Sequence, residues 1–197
     1  MKSRSSPIIY LYGGEDIRKR TNFKQNAKIC STIRNPRVLI LAWTSKNEKK
    51  ESEYREILVD YFKDLGVEYI SFLERSDPKR IALEKMKNSN ILYIPGGDTE
   101  ILLKRAKRRK WLIEAIKKYK RIIMGNSAGA IFLCRKGIGK KGGKYVIYEG
   151  IGMVNIIIRV HYKKADDKFL RKINELVVCL KEGDILMVKD NQLVFLR

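Results

Sequence analysis

From Ile8 to Phe132 the chain alternates between short apolar runs of strand length and segments whose apolar residues recur at helical spacing. This alternation limits the fold more than any other feature. Residues 8–12, 38–42, 67–72, 91–94 and 122–124 read as strands. Between them Tyr54, Ile57, Leu58, Tyr61, Phe62 and Leu65 make one helical stripe, with Gly66 where a C-cap belongs. Asp77-Pro78 predicts an N-cap followed by proline at the first helical position of a short helix through Met86. Ile101, Leu102 and Leu103, then Trp111, Leu112, Ile113, Ala115 and Ile116, mark two more helices. Such a chain pairs its strands in parallel through right-handed crossovers and covers both faces with helices. The expected fold is therefore α/β, a three-layer, mostly parallel sheet with sites at the carboxyl ends of its strands.

Beyond Phe132 the pattern changes. The glycine- and lysine-rich stretch 137–143 reads as a mobile loop, followed by strands at 145–148 and 156–160, the second ending at His161. Phe169, Leu170, Ile173, Leu176 and Val177 predict a helix over 166–180. Residues 184–188 and 193–196 predict a C-terminal β-hairpin around Lys189-Asp190-Asn191. With neither repeat nor linker, residues 1–197 are expected to form a single domain.

Charge and cysteine usage narrow the functional classes. The net charge is +21, from 43 Lys and Arg against 22 Asp and Glu, which raises nucleic acid as a partner. The cations, however, are spread along the chain among acids, and the densest run, 104–110, reads as the solvated face and end of a helix. A lysine-rich surface is the preferred reading, and no nucleic acid is expected. The charged start, 1–7, precedes an apolar run too short for a signal peptide, and no run approaches the roughly 18 apolar residues of a membrane span, so a cytoplasmic protein off the membrane is expected. Cys30, Cys134 and Cys179 form no paired motif and there is one histidine, so no metal and no cofactor is expected. The thiols, Cys179 above all, read as buried hydrophobes.

The chemistry concentrates at Gly125-Asn126-Ser127-Ala128-Gly129-Ala130, placed directly between a strand run and a helical run. A serine there sits on a sharp turn that exposes its hydroxyl at a strand's carboxyl end, with glycines on both sides to permit the close backbone approach. The plainer reading is a serine N-cap. If Ser127 is a nucleophile, it needs a base, and imidazole is the side chain whose ordinary pKa lies near neutrality. His161 is the single histidine available.

Taken together, the strand into Gly96-Gly97-Asp98-Thr99, the stretch 125–130, His161 after a strand and Glu182-Gly183 before the last strands resemble, in order and spacing, the peptidase E and cyanophycinase family of serine peptidases. The resemblance runs from Val38 onward. It implies a fold related to class I glutamine amidotransferases, flavodoxin-like in outline, and a Ser-His-Glu triad. Ser127 would be the nucleophile, His161 the general base and acid, and Glu182 the orienting carboxylate, with Glu175, Asp166, Asp167 and Asp184 as other acids in reach of the role. The amides of Gly97 and Ala128 would form the oxyanion hole. Asp98 would either contact substrate or cap the following helix, a duty Thr99 could also fill. Lys168 and Arg171 fall where the family places basic residues, which would hold a substrate carboxylate; the bland reading of both is surface solvation. The order Ser, His, acid differs from the Ser, acid, His of α/β-hydrolases. The chain departs from the family at Val160, before the histidine, and in the basic stretch 135–144, both of which bear on substrate choice. The expected activity is a serine exopeptidase acting on short, aspartate-containing peptides through an acyl-enzyme. The alternatives are a non-catalytic protein binding a polyanion on this scaffold, and an amidase or esterase with a non-peptide substrate.

Overall fold

The computed structural model describes residues 6–196, so the start of the charged N-terminal stretch, Met1 to Ser5, lies outside the described residues. Two sheets organise the chain. The larger runs in the order β11-β10-β1-β5-β4-β2-β3, built from β1 (Ile8–Tyr12), β2 (Arg37–Ile40), β3 (Tyr69–Phe72), β4 (Ile91–Ile94), β5 (Ile122–Asn126), β10 (Ile185–Lys189) and β11 (Gln192–Leu196). β1 to β5 pair in parallel and the terminal hairpin adds two antiparallel strands to the edge of β1. The inner strands β1, β2, β4 and β5 are almost wholly buried because helices cover both faces, whereas most of the edge strand β11 is exposed. Ile9 and Leu11 point to one side, among residues of α3 (Lys79–Asn88), α4 (Thr99–Lys107), α5 (Lys110–Lys117) and α6 (Ala128–Leu133). Tyr10 and Tyr12 point to the other, among residues of α1 (Phe23–Ser31) and α2 (Glu48–Asp64).

Helix ends follow their local chemistry. Asn47 caps α2 by accepting from the Lys50 N–H at 3.0 Å, and Gly66 follows its last turn at φ +78°. In α3 the expectation shifts by one position. Pro78 is itself the N-cap, extended at ψ 152°, and the Asp77 carboxylate instead accepts from Glu74 N–H and from Lys85 Nζ. Helix α1, for which the sequence reading made no prediction, turns Asn26, Ile29 and Cys30 to the core.

The smaller sheet, in the order β7-β6-β8-β9, corrects two expectations. Residues 137–143 are no mobile loop; they fall in β6 (Cys134–Lys141) and in the turn Gly142-Gly143 that leads to β7 (Lys144–Glu149). Both turn glycines have positive φ, which suits a tight hairpin between twisted strands. The predicted helix over 166–180 shrinks to a 3₁₀ turn at Lys164–Asp166 and a single turn, α7 (Asp167–Leu170). Val177–Cys179 then forms β9, parallel to β8 (Val154–Arg159). Two causes override the helical spacing. Asp166 is fully buried against Arg159, which pins the chain at the start of the segment, and the β-branched pair Val177-Val178 gains a strand partner. Leu176, predicted on the apolar stripe, is 88% exposed, and Cys179 is half-buried, whereas Cys30 and Cys134 are buried as expected. Among the described residues no helix is long and apolar enough to cross a membrane.

Candidate active site

Ser127 sits between β5 and α6 at φ 48° and ψ −101°, a backbone conformation that non-glycine residues rarely adopt. The sequence holds it there by close packing. A Cβ on Gly129 would overlap the Ile94 carbonyl oxygen, and one on Gly125 would come within 2.8 Å of the Gly129 backbone. These absent side chains let α6 abut β4 and β5. The Ser127 N–H donates to Tyr12 O at 3.1 Å, which ties the turn to the neighbouring strand β1.

His161 follows β8 and brings its ring across to the serine: Ser127 Oγ and His161 Nε2 are 2.7 Å apart. Glu182 approaches from behind, with Oε1 at 3.2 Å from Nδ1. A carboxylate only accepts, so the ring proton belongs on Nδ1 and the serine hydroxyl donates to Nε2. The other acids named as candidates are engaged elsewhere. Asp166 holds Arg159 and Lys140, Asp167 accepts from the Tyr162 hydroxyl, Glu175 pairs with Arg135, and Asp184 accepts from the Lys181 N–H.

Gly96 and Gly97 pass in front of the serine, where a Cβ on Gly96 would sit 3.4 Å from Ser127 Cβ. Thr44 fixes this strap by donating to Gly96 O at 2.9 Å and accepting from Asp98 N–H at 3.0 Å. The Gly97 N–H meets no acceptor among the described residues, and the Ala128 N–H opens α6, where the first amides have no partner within the helix. Asp98 is the N-cap of α4, accepting from the Ile101 N–H at 3.0 Å, so the capping reading holds for it, and it also borders the site.

Two clefts meet at Ser127 and His161. The larger, about 1000 Å³, runs past Glu15, Thr44, Lys50, Glu51 and Tyr54. The smaller, about 460 Å³, is lined by Lys140, Lys141, Tyr148, Arg159 and Lys163. Lys168 and Arg171 are exposed and line neither cleft; the cations of the smaller cleft are Lys140, Lys141, Arg159 and Lys163, three of them delivered by the smaller sheet, and those of the larger are Arg18, Lys19 and Lys50. Sequence reasoning tied the stretch 135–144 to substrate choice but read it as a loop, and it offered no local signal for Arg159 or Lys163.

A second omission is the end of β1. Gly14 has φ +150°, and a Cβ there would lie 2.5 Å from His161 Nδ1, so the imidazole rests on this bare backbone. The Gly13 carbonyl accepts from the His161 N–H at 2.7 Å and the Gly14 carbonyl from the Gly183 N–H at 2.9 Å. The signal was present as a Gly-Gly pair at a strand's end, but nothing local says that a distant ring will occupy the space. Among the described residues no group of histidine, cysteine and acidic side chains is arranged to hold a metal.

A sequence model for Peptidase family S51 matches residues 8–197. Among solved structures, a candidate peptidase E from Listeria monocytogenes EGD-e superposes with a TM-score of 0.72 at 16% identity, covering 97% of this chain and 98% of that one. A peptidase from an acI-B1 Actinobacterium gives a TM-score of 0.67 at 16% identity over 94% of this chain and 84% of that one. At this identity the likeness shows a common fold. No curated protein sequence matches this chain.

Proposed function

Because this chain belongs to peptidase family S51 and is a serine-type peptidase, we propose that it is a dipeptidase E-like exopeptidase that cleaves short, aspartate-containing peptides through Ser127, His161 and Glu182. The observation that carries the reading is the 2.7 Å approach of Ser127 Oγ to His161 Nε2. Ser127 Oγ attacks the scissile carbonyl carbon while its proton passes to Nε2, and the tetrahedral oxyanion rests on the Gly97 and Ala128 amides. Collapse breaks the C–N bond, and the imidazolium gives its proton to the leaving amine. Water, deprotonated by the same ring, then hydrolyses the acyl-enzyme and returns the serine hydroxyl. Glu182 keeps the ring proton on Nδ1.

The preference for an acidic side chain is supported by the smaller cleft, whose cations can meet a carboxylate beside the serine. Lys163 is exposed and has no ion-pair partner among the described residues. A panel of dipeptides that differ only at the first residue tests the substrate: peptides beginning with aspartate are cleaved fastest, and equal rates across the panel overturn this preference. Ser127→Ala should lower turnover by roughly 10⁴- to 10⁶-fold, and a variant retaining native turnover removes the proposed nucleophile.

A further inference from the structure

The proposed triad residues come from distant parts of the chain, yet each is registered to one short segment, residues 12–15. Tyr12 O accepts from Ser127 N–H at 3.1 Å, Gly13 O from His161 N–H at 2.7 Å, and Gly14 O from Gly183 N–H, beside Glu182, at 2.9 Å. Gly14 also leaves the space in which the ring lies. A segment that accepts all three bonds acts as a template, and its own placement then decides whether the hydroxyl, ring and carboxylate line up.

The side chain that places it is Asn126, immediately before the serine. Its Oδ1 accepts from Glu15 N–H at 2.8 Å and its Nδ2 donates to Glu15 O at 3.1 Å. This two-bond clasp continues the β1–β5 pairing after Tyr12 and Asn126, the last paired residues. Asn126 is 2% exposed, and its side chain makes no other hydrogen bond among the described residues. A buried carboxamide used at both ends loses both bonds at the cost of two unsatisfied main-chain groups, so the geometry it enforces is firm. Glu15 anchors the far end, with its carboxylate accepting from Asn26 Nδ2 at 3.1 Å and from the Tyr61 hydroxyl.

We infer that Asn126 is a positioning residue for the proposed Ser127–His161–Glu182 relay: its clasp on the Glu15 backbone holds the Gly13–Gly14 template against which the imidazole is seated. The inference rests on the triad reading above for its catalytic consequence, but the seating of the ring is measurable without turnover. His161 is the single histidine of the chain, so ¹⁵N-histidine labelling gives NMR signals from this ring alone.

The test compares Asn126→Ala with the wild type, using an aspartyl dipeptide for turnover and the ring signals for geometry. Expected is a folded variant whose kcat falls about 10²-fold with KM within about threefold, since a displacement near 1 Å can cost that much. The Nδ1 tautomer and its low-field ring proton should be lost together with turnover. Unchanged ring signals overturn the inference, whether or not kcat falls, because a loss without ring displacement arises elsewhere. If Asn126→Ala does not fold, Asn126→Asp, which keeps the acceptor for Glu15 N–H, decides by the same readouts and should give a smaller loss in both. A wild type that cleaves no aspartyl dipeptide defeats the proposed function, while the ring signals of the variants still decide the positioning role.

Discussion

The two halves of the candidate site are held by different means. On the serine side every residue of α6 is buried, and the turn is fixed by backbone packed against backbone at Gly125 and Gly129. On the imidazole side the His161 side chain is 43% exposed and that of Glu182 72% exposed, and both are steered by main-chain hydrogen bonds to Gly13 and Gly14. The smaller sheet that delivers His161 is fastened by an ionic cluster in which the buried Asp166 carboxylate receives Arg159, Lys140 and the Tyr145 hydroxyl. Damage to the serine turn should therefore cost stability, damage at the seat of the ring should cost rate, and loss of the ionic cluster behind it should cost stability that depends on pH.

The sharpest test of that division is Asp166→Asn. Removing one partner of a buried pair leaves Arg159, itself 4% exposed, without its counter-charge, a loss of about 3–5 kcal/mol in thermal or denaturant unfolding. Burial pushes the Asp166 carboxyl up, but bonds from Lys140, Arg159, the Lys163 N–H and Tyr145 outweigh this and hold it well below the usual carboxylate range. A carboxyl whose pKa is depressed by folding stabilises above its unfolded pKa of about 4, and that stability is lost as pH falls through the folded value. The gap between wild type and variant should be full at neutral pH and close as the pH drops below about 4. A gap that persists unchanged in acid would break the comparison.

Gly14→Ala comes next. Its methyl group would press on the imidazole and sit at φ +150°, a conformation that strains an L residue by about 1–2 kcal/mol, so kcat should fall about 10²-fold beyond that modest loss of stability. Gly129→Ala should do the reverse in kind. A methyl group there meets the rigid carbonyl of Ile94, and overpacking of this sort costs about 1–3 kcal/mol in unfolding experiments. If Gly14→Ala unfolded the protein while Gly129→Ala spared it, the two halves would have been assigned the wrong way round. The smallest effect belongs to Glu182→Gln. An exposed pair interacts by about 0–1 kcal/mol, so turnover should fall by about tenfold or less. A much larger loss would show that the exposed carboxylate contributes more than its surroundings suggest.

Local signals in the chain were enough for the larger sheet and its helices. The apolar runs of β1, β4 and β5, the stripe of α2 and the terminal hairpin all carry their period within a few residues. The family resemblance implied that Ser127, His161 and Glu182 act together, and His161 lies within hydrogen-bonding distance of both of the others. What was not legible depends on partners far away in sequence. The segment after Asp166 has helical spacing, yet it becomes β9 because β8 offers an edge and Arg159 claims the aspartate. Lys140 and Lys141 reach the smaller cleft only because residues 134–149 pair as a hairpin.

The sequence by itself determined the alternation of strands and helices, the strained serine turn and the identity of the only imidazole that could serve it, since each is a property of neighbouring residues or of composition. Tertiary structure alone decided that Gly13 and Gly14 would become the seat of that imidazole, that Asn126 would clasp the segment bearing them, and which lysines would face the serine. The physical reason is range. Backbone period and turn strain act over a few residues, whereas hydrogen-bond registration and buried charge pairing act between segments that meet only once the sheets have formed.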